Sequence, residues 1–207
     1  MNLSTLFILK YIASYRDLIN AFGTNTDAGG RHYQSSGIAE GRTVSFDAWA
    51  YLASYGDLRN AFGIDAEAAT RHYITAGVNE GRTITFDAWG YLASYSDLRN
   101  AFGSDVEAAA RHYVQNGINE GRTITFDAWG YLASYGDLLN AFGTDLQAAE
   151  RHYVLNGARE GRSITFDGTA IASAYNVAPQ DVARFYVVNN TDGSNDAAKI
   201  FGDVSGA

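Results

Sequence analysis

The chain has 207 residues with 46% apolar and 14% aromatic content, enough to build a real core and too apolar to be disordered. Its formal charge is −8, and its cations are arginines apart from Lys10 and Lys199, with no basic block to displace counterions from a nucleic acid. Cysteine is absent, which excludes disulfides, thiol catalysis and cysteine-rich zinc sites.

No run of 18 apolar residues is present that could span a bilayer, and the opening MNLSTLFILK lacks the basic leader and cleavage site of a secretory signal. From Phe46 onward the chain repeats itself. Aligning Phe46, Phe86, Phe126 and Phe166 gives a period of 40 residues, and residues 46–85 match 86–125 at 31 of 40 positions. The expected organisation is a lead-in at 1–5, repeats at 6–45, 46–85, 86–125 and 126–165, and a decayed unit at 166–207 that reads as a C-terminal cap. Leu6 and Leu9 take the Phe and Trp slots of the diverged first copy.

In repeat 46–85, the elements follow from the punctuation. Asp47 is a good N-cap, and Trp49, Leu52 and Ala53 share helical spacing, so a two-turn helix should run to about Tyr55. Ser54 reads as the N-cap of a second helix over about Asp57–Phe62, closed by Gly63 as a left-handed C′ residue. A third and longest helix opens at Asp65, carries Glu67 in its first turn and runs to Gly77. After the turn in GVNEGR, the alternation Thr83-Ile84-Thr85-Phe86 predicts an extended segment that adds a short strand-like rung along one edge. The fold class is therefore all-α: a tandem-repeat helical array or α-solenoid with about three short helices per unit. One unit of 40 residues is too small to bury its aromatic faces alone, so neighbours should share a core of Trp, Tyr, Phe and Leu.

Every tyrosine and histidine falls in a repeat slot, and this governs the reading of candidate sites. Arg31-His32, Arg71-His72, Arg111-His112 and Arg151-His152 recur with the same neighbours, whereas a catalytic histidine normally occurs once, beside a unique partner. The main reading is structural: the histidine packs beside its helix, while Arg71 with Glu80 or Asp57 supplies surface or inter-repeat pairing. The other reading makes these eight residues a ridge that binds one ligand per repeat, a glycan or a small aromatic compound, with Trp49, Trp89 and Trp129 as a stacking platform. No metal site is expected, because one histidine per unit gives no HxxxH pair. No cofactor is expected either. Ser54, Asp57 and His72 hold the letters of a hydrolase triad without a G-x-S-x-G elbow, so no catalytic residue is assigned. The apolar strip Leu6, Phe7, Ile8 and Leu9 is more greasy than a solvent-facing end should be, and it either folds back or meets a partner. Near the end, Asp192, Ser194 and Asp196 make a poor match to a calcium loop, and Asn189-Asn190-Thr191 fits a glycosylation sequon.

The string YLASYGDLRNAFGIDAEAATRHYITAGVNEGR at 51–82 resembles a repeat found in large bacterial surface and type I-secreted proteins, and the likeness covers residues 6–165. The glycine- and aspartate-rich calcium nonapeptides of such proteins are missing here, since Gly29-Gly30 is followed by Arg31-His32. The resemblance implies an extracellular or cell-surface setting reached without an N-terminal signal, with AAKIFGDVSGA at 197–207 in the place of a type I signal. The function expected is thus a non-enzymatic structural or interaction protein. It would form a homo-oligomer or meet other surface proteins, assembling end to end through Leu6–Leu9. The alternative is a repeat-based binding module for a glycan or small aromatic ligand.

Overall fold

The computed structural model describes residues 3–190, and the candidate calcium loop, Thr191 of the sequon and the segment 197–207 lie outside them. The described chain is all-helical, with no strand among the described residues. Three helices recur with the sequence period: α1 (Thr5–Ala13), α2 (Arg16–Phe22) and α3 (Thr26–His32), then α4 (Ala48–Ser54), α5 (Gly56–Phe62) and α6 (Ala66–His72). The third copy supplies α7 (Ala88–Ser94), α8 (Ser96–Phe102) and α9 (Val106–His112), and the fourth α10 (Ala128–Ser134), α11 (Gly136–Phe142) and α12 (Leu146–His152). Two more, α13 (Thr169–Tyr175) and α14 (Pro179–Asn189), form the decayed unit, and the architecture is a tandem helical repeat array.

The aspartate caps act where the sequence places them. Asp47 accepts hydrogen bonds from the Trp49 and Ala50 amides, and Asp65 accepts one from Ala68, satisfying donors that the first helical turn leaves open. Gly63 closes α5 with φ 58° and ψ −114°, outside the left-handed helical well and in a region reserved for glycine. Each third helix continues beyond its histidine as a π-turn, Tyr73–Gly77 in the second copy, where the Val78 amide bonds to the Tyr73 carbonyl five residues back. The helix read as running from Asp65 to Gly77 is therefore one continuous rod with a widened last turn.

Two expectations are corrected. Thr83–Phe86 forms no strand and pairs with none among the described residues. Its amides bond to side chains instead: Thr83 N–H to the Tyr55 hydroxyl at 2.9 Å, and both Thr85 and Phe86 N–H to Ser54 Oγ at 2.9 Å. Ser54 is consequently no N-cap. It is the last residue of α4, donating to the Ala50 carbonyl at 2.7 Å while receiving two amides from 31 and 32 residues downstream. The helix α5 that follows begins without a side-chain cap.

The chain divides into two compact units, one of Met1–Ala88 with Glu107–Thr123, the other of Trp89–Val106 with Ile124–Ala207. In the first, α1 packs on α3 of its own copy and on α6 of the next, while α4 packs on α6 and on the π-turn Tyr113–Gly117. The core there holds Leu9, Tyr11, Ile12, Leu18, Tyr51, Leu52 and Ile74, with Phe46 stacked on Tyr73 at 4.5 Å. In the second, α10 packs on α12 and on α14 around Tyr131, Leu132, Leu138, Leu139 and Val187. The rule in both is that the first helix of one copy rests on the third helix of the following copy. Val187 of α14 thereby fills the slot that Ile74 and Val114 hold elsewhere, and each such side chain removed from water contributes about 1.5–3 kcal/mol.

Candidate functional site

The recurring polar residues resolve into three small devices, each built inside the fold. The first joins tyrosine, histidine and glycine. Tyr51 is fully buried, its hydroxyl lies 3.1 Å from His72 Nδ1, and the His72 ring packs beside Phe62 at 5.6 Å. The equivalent pairs are Tyr11 with His32 at 2.9 Å and Tyr131 with His152 at 3.0 Å. A Cβ at Gly77 would fall on the Tyr51 hydroxyl, as one at Gly37 or Gly157 would on Tyr11 or Tyr131, so glycine follows from the tyrosine. Burial pushes the Tyr51 phenol up to about 12 despite the opposing charge of Arg82, and it raises Tyr11 and Tyr131 in the same direction.

The second device is the serine staple, repeated by Ser14 on Ser45 and Phe46, Ser94 on Thr125 and Phe126, and Ser134 on Thr165 and Phe166. The third is an arginine latch. Arg82 lies 4.8 Å from the centre of the Tyr55 ring, with Nε 2.6 Å from Glu80 and an amino group 2.8 Å from Asp57. Arg42 and Arg162 repeat it with Tyr15, Asp17 and Glu40, and with Tyr135, Asp137 and Glu160. Hydrogen bonds from the guanidinium hold the Asp57 and Asp137 carboxyls below the usual aspartate range. Thus Asp57 and Glu80 do pair, but with Arg82; Arg71 pairs with Glu67 at 2.9 Å along its own helix. Residue types and a repeated spacing of 25 to 31 were visible in the sequence, but the identity of the latch arginine was not among the candidates singled out there.

Of the four Arg-His pairs, the histidines are half-buried and engaged as described, while Arg31, Arg111 and Arg151 are exposed and Arg71 is half-buried. His112 is likewise half-buried and has an interaction partner. The tryptophans are neither bare nor sealed: Trp49, Trp89 and Trp129 are half-buried, Arg151 lies 5.9 Å from the Trp89 ring, and Arg184 of α14 lies 6.0 Å from Trp129. In the apolar strip, Leu9 is fully buried, Phe7 meets the edge of Tyr33 at 5.1 Å, Ile8 covers Gly29 and Gly30, and Leu6 packs against the core of the first unit.

One pair also borders open space. Arg151 and His152 line a cavity of about 370 Å³ with Phe142, Asp145, Gln147, Ala148, Leu155 and Asn156. Among the described residues no helix is long and apolar enough to cross a membrane, and no group of three or more His, Asp or Glu is placed to hold a metal ion. No family model matches the chain, and neither a curated protein nor a solved structure matches it.

Proposed function

We propose that the protein is a non-enzymatic structural and interaction module of the bacterial cell surface or extracellular space, of the kind its repeat resembles. One observation carries the reading: the residues with the most chemical capacity are engaged in holding each repeat in its fold, and the serine staples also reach the first residue of the next. The Tyr-His pairs, the serine staples and the arginine latches each return with the 40-residue period and the same bond partners. An acid, base or nucleophile occupied in this way is a building element, because catalysis needs a group free to gain or lose a proton at the substrate.

Self-association in this reading runs through surface other than Leu9, which is fully buried in the first unit. The setting is tested by shaving intact producing cells with trypsin and following the chain by immunoblot: loss of the chain before lysis supports the surface, while full protection until lysis overturns it. The structural role is tested by replacing His32, His72, His112 and His152 with Asn together. A lower unfolding midpoint is expected; an unchanged midpoint would remove the basis for assigning these residues to architecture.

A further inference from the structure

We propose that the fourth repeat carries a binding site for an acidic sugar, a hexuronate unit of a glycan, at the cavity bordered by Arg151, His152, Asp145, Gln147 and Asn156. This goes beyond the structural role, and it singles out one copy instead of a ridge along all four.

The internal comparison makes the case. The slot four residues before the ridge arginine is acidic in three copies, Asp27, Glu67 and Glu107, and is Gln147 in the fourth. Glu67 ties Arg71 down at 2.9 Å, and Glu107 is taken by Lys10 at 2.7 Å. Among the described residues Arg151 has no carboxylate within ion-pair distance; Arg31 and Arg111 are without an ion pair too, but Arg151 alone also lacks an acid in that slot, and it borders the cavity, exposed, with its guanidinium near the Trp89 face. An arginine in that state is a bidentate receptor for a carboxylate.

The other walls ask for hydroxyl groups. Asp145 precedes α12 and Arg151 lies near its end, about 9 Å apart along the axis at 1.5 Å per residue, so the anionic acceptor and the cation serve opposite ends of one ligand. One Asp145 oxygen is held by the Ala148 amide, leaving the carboxylate to accept sugar O–H donors. Gln147 and Asn156 are exposed amides that donate and accept, and Nδ1 of His152 is engaged with Tyr131, which leaves Nε2 for the ligand. Phe142 and Leu155 give the apolar wall that the C–H face of a pyranose requires. Leu155 replaces Ser35, Thr75 and Gln115 of the other copies, and it also lines a neighbouring cavity of about 510 Å³, so there is room for more than one sugar. In that second cavity Arg99 is bonded to the Leu92 and Ala93 carbonyls and Arg159 to the Leu155 carbonyl, so the carboxylate goes to Arg151. With a net charge of −8, long-range attraction does not help, and affinity rests on local contacts.

The experiment is saturation-transfer NMR and calorimetry on the full chain with glucuronate and digalacturonate, against glucose and acetate. Binding of the two uronates, with glucose and acetate at least tenfold weaker, is expected. Gln147→Glu restores the residue type of the second copy, closes Arg151 with its own carboxylate and should weaken binding roughly ten- to hundredfold while the melting curve is retained. Asn156→Ala, at an exposed position, should weaken it less and serves as the second variant. Equal binding of acetate and glucuronate overturns the sugar, equal binding of glucose overturns the acid, and no uronate binding, or binding by Gln147→Glu as strong as wild type, overturns the site.

Discussion

The hydroxyl of Tyr51 and Nδ1 of His72 lie 3.1 Å apart in the second repeat, and the backbone of Gly77 presses against the same oxygen. The decayed unit shows that the three belong together. Aligning Phe166 with Phe126 puts Ile171 in the tyrosine slot, and aligning Tyr186 with Tyr153, after the loss of about seven residues, puts Phe185 in the histidine slot and Asn190 in the glycine slot. Once the phenol is gone, histidine loses its partner and glycine its reason, and all three positions change in one copy. Arg184 is retained beside Trp129, as Arg151 is beside Trp89, so the contact to the preceding first helix outlives the device.

Gly77→Ala places a methyl group on the Tyr51 hydroxyl. Overpacking of this kind costs about 1–3 kcal/mol, against a gain of up to about 1 kcal/mol from helix propensity. Net destabilisation in urea is therefore expected. In a Tyr51→Phe background the clash is mostly removed, since the ring carbon bearing the hydroxyl would be 3.3 Å from the new Cβ. A penalty of equal size in both backgrounds would show that the hydroxyl is not the obstacle.

Ser54→Ala deprives two amides of their acceptor and frees the Thr83–Phe86 segment from α4. The loss is expected at about 1 kcal/mol, the net worth of a hydrogen bond, since the Thr85 bond is exposed to water and only the Phe86 bond is partly buried. Hydrogen exchange gives the sharper reading: the Thr85 and Phe86 amides should lose protection while Thr83, held by Tyr55, keeps it. Uniform loss across residues 83 to 86 would mean that serine and tyrosine act as one clamp.

The period, the three helices and the caps could be read from the sequence because each rests on local signals: an aspartate before an apolar run, a glycine after it, side chains on one helical face. What failed to show was the identity of distant partners. Ser54 looks like an N-cap because it stands just before a helix, and only the fold brings residues 85 and 86 to its oxygen. Thr83–Phe86 has a strand's alternation, and Ile84 is indeed 39% exposed, but its backbone is bonded by two hydroxyls and no strand edge is present among the described residues. The π-turn has no compositional mark beyond the tyrosine that opens it and the glycine that ends it. The exceptional fourth copy was legible as a substitution, Gln147 among acids, yet its meaning depends on where Arg151 points once the acid is gone.

The latch predicts behaviour in acid. Asp57 is held below the usual aspartate range by Arg82. A carboxyl depressed in the folded state contributes stability that is fully present above its unfolded pKa, and that contribution is lost as the pH falls through the folded value. Carboxyl NMR should show Asp57 and Asp137 titrating below an unfolded aspartate. Arg82→Gln should return Asp57 to the ordinary range and leave Asp137, paired with Arg162, unmoved. Because the pair is exposed to solvent, 1 M salt should shrink the difference.

At the alkaline end the buried phenols govern. Tyr51 is pushed up to about 12 by burial, so the folded state binds its proton more tightly than the unfolded chain, where the group ionises near 10. Stability from this tyrosine is fully present below pH 10 and is lost as the pH climbs toward 12. Absorbance at the phenolate band should show a delayed step from the buried phenols Tyr11, Tyr51 and Tyr131. Tyr51→Phe should reduce the amplitude of that delayed step. If the delayed step is absent and all tyrosines ionise together while circular dichroism still reports intact helix, the Tyr-His node is open to water and its structural role falls.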